Sequence, residues 1–200
     1  MRIQLGPFGV DWGVAGYKSG RIAAVTSRYE EAVLRGNVYA VANQSGVTSQ
    51  VGLSATTPVL TLANPVGSGV NCVLWYADAV FLVVFGAAAA VWLAHGRFSN
   101  TAVTGTDIVP TNMLTGIGMR GKVLPLTAAT LPAAPIGAKL LGAGLTGAIT
   151  TAPTVPVMGG WLDGSFIIPP GCNVSVQTST ASGTSAQLNS FIYEERPQGE

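Results

Sequence analysis

Charged side chains are scarce in this chain of 200 residues, and they almost vanish from its middle. Asp, Glu, Lys and Arg make up 10% of the sequence, whereas about 25% is usual for a soluble domain. An enzyme site needs a cluster of convergent ionisable groups, so we expect no enzyme and assign no catalytic residue. Residues 37–190 contain only Asp78, Arg97, Asp107, Arg120, Lys122, Lys139 and Asp163.

Small, uncharged side chains take the place of charge, in short apolar runs separated by Pro and Gly. Such a surface is typical of a chain whose outside is largely covered by other subunits. The net charge is +1, and no basic stripe is present that would attract nucleic acid. The sequence therefore favours an assembly component, with no nucleic-acid partner and no small-molecule substrate.

Metal ligands and cysteine pairs are also lacking. His95 is the only histidine, and the two cysteines, Cys72 and Cys172, lie a hundred residues apart. No ligand spacing suits a metal, so we expect no metal and no cofactor. The cysteines are either two small buried hydrophobic residues or a bridge between neighbouring strands, and this choice stays open.

A membrane span is not expected either. The longest uncharged apolar stretch, Ala79–Ala94, has sixteen residues, short of the roughly 20 that a spanning helix needs. Gly86 lies in its middle, and its first half is β-branched and aromatic, which favours a buried strand. The segment Met1–Val10 has no continuous apolar run, so no signal peptide is expected.

The first 36 residues differ in composition from the rest of the chain. They contain eight charged residues and a Gly-rich, aromatic arm without hydrophobic periodicity. Ser27 and Glu30 form a capping box, which predicts a short helix that ends at Gly36 or Asn37. We therefore divide the chain into an arm with a capped helix, residues 1–36, and a β-sandwich domain with long loops, residues 37–200.

Arm and helix supply the candidate contact residues, because Trp, Tyr and Arg dominate the energetics of protein interfaces. Two alternatives stay open: the aromatic residues form the core of a small subdomain, and the helix is an ordinary solvated one. The candidate interface residues are Trp12, Tyr17, Arg21, Arg28, Tyr29 and Arg35.

Short strands and turns are predicted from residue 37 onward. The segments Val70–Tyr76, Ala79–Phe85 and Ala88–Ala94 are apolar runs of strand length, with apolar residues on both faces, as in covered central strands. Residues 96–122 are polar and without a clear period, which predicts a long excursion. Residues 128–156 form either an extended loop or a pair of irregular edge strands.

The last 40 residues give the clearest pattern. Trp161–Ile168 is a strand, and Pro169, Pro170 and Gly171 suit a turn that requires a positive φ at the glycine. Asn173–Ser179 alternates polar and apolar residues, which predicts a strand with one buried face. The chain returns through Gln187–Glu194. These strands predict a mainly β fold, an antiparallel, jelly-roll-like β-sandwich.

Two adjacent acids follow near the end of the chain, Glu194 and Glu195. Neighbouring residues of a strand face opposite sides, so they cannot act together as a catalytic pair. We expect them to be solvated or paired with an arginine of a neighbouring subunit.

Three segments resemble one family of proteins. They are Ser27–Val38 with its capped helix, the turn Leu62–Asn71, and the ending Gly164–Pro197. Together they resemble tailed-bacteriophage virion proteins, in particular head decoration (cement) proteins with a β-sandwich body. The resemblance covers residues 27–75 and 160–197, and it rests on turns and caps rather than on chemistry.

The resemblance implies a non-enzymatic virion structural protein that decorates and stabilises a capsid as a homotrimer. Its expected partners are the major capsid protein and copies of itself, at the capsid surface of a virion assembled in the host cytoplasm. The alternative is a phage fibre or tail module that binds a receptor or glycan. That alternative predicts exposed aromatic and polar groups on loops such as residues 96–122.

Overall fold

A computed structural model describes residues 4–5, 10–11, 28–82, 89–114, 121–144, 157–181 and 187–199. They form thirteen strands and one helix. The first seven elements are β1 (Gln4–Leu5), β2 (Val10–Asp11), α1 (Arg28–Leu34), β3 (Val38–Ala42), β4 (Thr61–Ala63), β5 (Val70–Phe81) and β6 (Ala89–Gly96). The others are β7 (Thr104–Asp107), β8 (Thr111–Asn112), β9 (Leu124–Thr130), β10 (Ile136–Gly144), β11 (Val157–Ile168), β12 (Asn173–Thr178) and β13 (Gln187–Pro197).

Two antiparallel sheets form a β-sandwich, as the sequence predicts. The five-stranded sheet has the order β11-β5-β13-β3-β8, and the six-stranded sheet has the order β10-β6-β12-β4-β9-β7. The strands β1 and β2 pair separately with each other. The jelly-roll refinement and the domain boundary after residue 36 stay predictions.

The hydrophobic core lies between the two sheets. Leu62, Leu93 and Val174 of the six-stranded sheet face Leu74 and Phe191 of the five-stranded sheet, and all five are fully buried. Burying a side chain of this size stabilises the fold by about 1.5–3 kcal/mol relative to leaving it exposed. The core therefore accounts for the predicted apolar runs.

The sequence predicts two separate strands, Val70–Tyr76 and Ala79–Phe85, and this prediction is wrong: β5 is continuous from Val70 to Phe81. Its partner β13 pairs Ile192 with Tyr76 but Tyr193 with Leu74, so one residue of β5, Trp75, is extra. This β-bulge turns Trp75 and Tyr76 to the same outer face, whereas Leu74 points into the core. An aromatic pair is thereby brought to the outside of the five-stranded sheet.

The strand β12 corrects a second prediction, since it is buried on both faces rather than on one. Val174 and Val176 point into the core, and the opposite face is covered by the segment that joins β3 to β4. There the Gln177 side-chain amide donates to the carbonyl of Ser54 and accepts from the Ser54 N–H. The polar residues that alternate with the valines of β12 are therefore buried and not exposed to solvent.

The sequence predicts a long excursion without regular structure over residues 96–122, but this region contains the strands β7 and β8. The strands β7 and β9 extend the six-stranded sheet beyond β4, and β8 extends the five-stranded sheet beyond β3. The strand β10 lies at the other edge of the six-stranded sheet, with two register shifts along its pairing with β6. The edge-strand alternative is thus the correct one for residues 136–144, whereas residues 128–130 belong to β9, which lies between β4 and β7. Residues 145–156 lie outside the described residues.

The predicted turns are present where the structure describes them. Cys172 N–H donates to the carbonyl of Pro169 at 3.2 Å, and Gly171 has φ 82°, as a type II turn requires. Gly36 has φ 76° and ends α1, as expected of a left-handed stop. Ser27, the proposed cap, lies outside the described residues.

Candidate interaction surface

The helix α1 packs on the outer face of the five-stranded sheet. Tyr29, Ala32 and Val33 are three and four residues apart and therefore share one side of the helix. They contact Val73 and Trp75 of β5. The segment Arg28–Leu34 is thus a short amphipathic helix that covers the part of this face around Val73 and Trp75.

Four aromatic rings meet beside the helix, and we call them the aromatic cluster: Tyr29, Trp75, Tyr76 and Trp161. Tyr29 lies 4.9 Å from Trp75 and 5.6 Å from Trp161, and Tyr76 lies 5.4 Å from Trp161, all between ring centroids. Trp161 keeps 57% of its surface exposed. Edge and tilted contacts of this kind contribute about 0.5–1.5 kcal/mol per pair, so the cluster fixes an exposed indole in place.

The structure describes three of the six predicted interface residues. Tyr29 belongs to the aromatic cluster, and Arg35 is exposed at the end of α1, where it bonds Glu31 one turn earlier. Arg28 is the first residue of α1. Trp12, Tyr17 and Arg21 lie outside the described residues. The interface role of all six stays a prediction.

A recess lined by charged residues lies between α1 and the end of β13. Glu31 and Arg35 of the helix line it together with Glu194 and Arg196 of β13. Glu194 accepts from the Arg196 guanidinium at 2.8 Å. The two acids and two arginines balance each other, so the recess carries no net charge that would attract a strongly charged ligand.

Glu195 lies on the opposite side of β13, inside the protein, which corrects the prediction of a solvated residue. Its carboxylate accepts from the backbone N–H groups of Lys122 and Val123 at 2.9 and 2.8 Å. A Cβ at Gly121 would lie 2.3 Å from this carboxylate, so only glycine allows the close approach. Glu195 therefore anchors the segment that leads into β9. In the sequence, only the alternation of side chains along a strand indicated that Glu194 and Glu195 face opposite sides.

The two cysteines are both free, so the bridge alternative is wrong. Cys72 is buried in the core, and Cys172 is half-buried at the turn after β11. Burial raises the pKa of the Cys72 thiol well above its usual value, and the negative charge of Glu195 adds to the effect. Burial alone raises the pKa of Cys172.

Both thiols are therefore expected to resist alkylation in the native protein at pH 8. A raised pKa lowers the thiolate fraction at that pH, and the thiolate is the nucleophile. Mass spectrometry after iodoacetamide treatment should show slow labelling of Cys172 and none of Cys72, while both react fully in denaturant. Rapid native labelling of Cys72 would contradict its placement in the core.

Metal-ligating side chains are not brought together in the described part of the chain. Within those ranges, no group of three His, Cys, Asp or Glu side chains could hold a metal ion. His95 lines a depression with Phe166 and Cys172, whereas Asp78 bonds Ser190 on the outer face of the five-stranded sheet. Over the same residues, no helix is long and apolar enough to cross a membrane.

A second exposed apolar surface lies at the end of the sandwich where the turns after β4, β6 and β11 meet. Phe98 is 62% exposed, and its ring lies against Gly171 together with Val66. A depression of about 250 Å³ beside them is lined by residues of the same three turns, including Asn64 and Thr101. This surface offers apolar contacts and hydroxyl or amide groups without charge.

Comparisons with known proteins identify no relative: no family model, no curated protein and no solved structure matches the chain. Function must therefore be argued from the surfaces described above.

Proposed function

We propose that the protein is a non-enzymatic virion structural protein that decorates and stabilises a bacteriophage capsid as a homotrimer. Its partners in this proposal are the major capsid protein and two further copies of the chain. Its place is the capsid surface, after assembly in the host cytoplasm.

The observation that carries this proposal is the distribution of exposed apolar side chains. Large apolar side chains are exposed at several places on the described part of the protein, and few charged side chains are available to surround them. Contacts with further copies and with a shell would cover several separate surfaces at once. Among the residues that the structure describes, the exposed large apolar ones are Leu34, Val51, Val66, Leu82, Phe98, Val109, Met113, Ile136, Leu140, Trp161 and Ile167.

The strand order supports the proposal at the level of the fold. Leaving aside β7, β8 and β9, the sheets reduce to β11-β5-β13-β3 and β10-β6-β12-β4. The chain then changes sheet at every connection except the one from β6 to β10. We propose that this is the jelly-roll order, a fold found in viral capsid domains and in lectins. Because one fold hosts many functions, the order supports both the decoration role and the glycan-binding alternative.

The mechanism in this proposal is thermodynamic linkage. A protein that binds the assembled shell but not its free subunits stabilises the shell by about 2.7 kcal/mol at a hundredfold excess over the dissociation constant. A trimer presents each contact three times, and avidity then slows its release.

The decisive experiment removes the arm. We expect deletion of residues 1–26 to abolish sedimentation of the protein with undecorated heads of its phage, because the arm reaches the neighbouring subunits. The truncated protein should keep the oligomeric mass of the full chain in light scattering. The matched control, Gln44→Ala, changes one exposed side chain outside the arm and α1 that bonds the carbonyl of Ala42 in its own segment, and it should still decorate. Decoration by the truncated protein would disprove the role of the arm, and a monomeric full-length chain would disprove the trimer.

The alternative function, a fibre or tail module that binds a glycan, is favoured by one specific observation, the exposed and fixed indole of Trp161.

A further inference from the structure

A row of small residues crosses the outer face of the five-stranded sheet, next to the aromatic cluster. Gly159 of β11 pairs with Asp78 of β5, which pairs with Ser190 of β13, which pairs with Ala42 of β3. Side chains directly opposite each other point to the same face. The row therefore makes a low floor that spans four strands, about 14 Å at the usual strand spacing.

Larger side chains stand on both sides of this floor. Two residues from the floor in one strand direction lies a row of paired residues, Trp161, Tyr76 and Ile192. Two residues from the floor in the other direction lies the pair Val80 and Leu188. Tyr76 and Val80 are four residues apart, which corresponds to about 13 Å along a strand. Floor and walls together form a shallow groove across the strands, which we call the cross-strand groove.

One wall ends in a rigid, accessible aromatic ring. The indole of Trp161 is 57% exposed, and the rings of Tyr76 and Tyr29 support it. More than half of the surface of Trp161 thus stays accessible to a ligand.

The floor carries a fixed carboxylate. Asp78 Oδ1 accepts from the N–H and the hydroxyl of Ser190 at 2.8 and 2.7 Å, which sets the orientation of the group. It is the only charged side chain in the rows that form the groove. The two oxygens of a carboxylate offer about four acceptor sites in all, so Oδ2 of Asp78 can accept O–H groups from a ligand.

We propose that the cross-strand groove binds a neutral oligosaccharide of hexopyranose units, with one ring on the indole of Trp161 and hydroxyl groups donating to Asp78. The C–H face of a pyranose ring is apolar and flat, so it can pack on an indole, while its hydroxyl groups are hydrogen-bond donors. A negatively charged glycan would be repelled by Asp78 in a groove without a basic side chain. This inference is independent of capsid decoration.

A peptide segment fits the groove less well than a sugar. Extended peptides bind along the edges of sheets, where the backbone is unpaired. This groove runs across the strands instead, and its centre at Asp78 and Ser190 lies on β5 and β13, which are paired on both sides, although its end at Gly159 lies on the edge strand β11. The groove offers an aromatic face and a side-chain acceptor, which are the groups that a pyranose ring uses.

The test uses the full-length protein on an array of neutral and acidic glycans, followed by calorimetric titration with the neutral oligosaccharide that binds best. We expect Trp161→Ala to weaken binding by about tenfold or more, because the packing surface is lost. Trp161→Phe keeps a ring and should recover part of the affinity, and Asp78→Asn should weaken binding because it removes the charged acceptor. The matched control Phe98→Ala removes another exposed ring and should change the affinity less than twofold.

Any of these binding results would overturn the proposal: no neutral glycan bound at millimolar concentration, binding of acidic glycans alone, or a loss of affinity in Phe98→Ala equal to that in Trp161→Ala. A change of oligomeric mass in Trp161→Ala would assign the groove to a contact between copies and would also overturn it. Sedimentation with heads reports separately on decoration, so failure of one proposal leaves the other standing.

Discussion

Replacing Gly159 with alanine is expected to lower the free energy of unfolding by about 3–5 kcal/mol. The added Cβ would lie 2.2 Å from the carbonyl oxygen of Ala77 and 2.6 Å from the Cα of Asp78. These are backbone atoms of the central strand β5, which cannot move without disturbing its pairing with β13. Gly159 also has φ 139°, a conformation that only glycine adopts readily.

Gly160→Ala is the matched control for this change. Gly160 has φ 159°, but a Cβ there would meet no atom within 4 Å. Its loss of stability in urea unfolding should therefore be clearly smaller, and the difference between the two variants measures the collision with β5. Equal effects of the two substitutions would show that β11 does not approach β5 as closely as the structure places it.

Glu195→Ala is expected to cost about 3–5 kcal/mol of stability, since a buried carboxylate with two hydrogen bonds is lost. Hydrogen bonds to a charged group contribute about 1.5–3 kcal/mol each, and the N–H groups of Lys122 and Val123 would be left without this acceptor. The connection into β9 would loosen as a result. Urea unfolding measures the loss, and hydrogen exchange at Val123 should accelerate.

Two further variants separate the hydrogen bonds from the charge. Glu195→Gln keeps one oxygen acceptor but turns an amide donor toward backbone donors, so we expect a loss between those of the native protein and of Glu195→Ala. Glu31→Ala removes an acid that pairs with the exposed Arg35 one turn along the helix, and it should cost about 0.5 kcal/mol or less. A Glu195→Ala protein as stable as Glu31→Ala would contradict the anchoring role.

The decoration and glycan-binding proposals use different parts of the molecule. Decoration is argued from apolar side chains spread over several surfaces and tested through the arm, whereas sugar binding is argued from one groove on one sheet. A decoration protein with a glycan site would bring the capsid to glycan-bearing surfaces. The two experiments report on these properties separately.

Local patterns in the sequence were sufficient for several elements. The turn at Pro169–Gly171 and the stop at Gly36 follow from residues whose φ is restricted or unusually free, and such restrictions act within four residues. The final strands follow from apolar periodicity between clear turns. The mainly antiparallel β-sandwich follows from these elements because their apolar faces have to be buried against each other.

Other features depend on which segments meet, and the tertiary structure alone decided them. The bulge at Trp75 comes from the register with β13, and the burial of Gln177 comes from a segment more than a hundred residues away in sequence. The position of Glu195 against Lys122 and the groove along Gly159, Asp78 and Ser190 have the same origin. Side-chain periodicity tells which residues share a face of one strand, but pairing between distant strands decides what that face contacts.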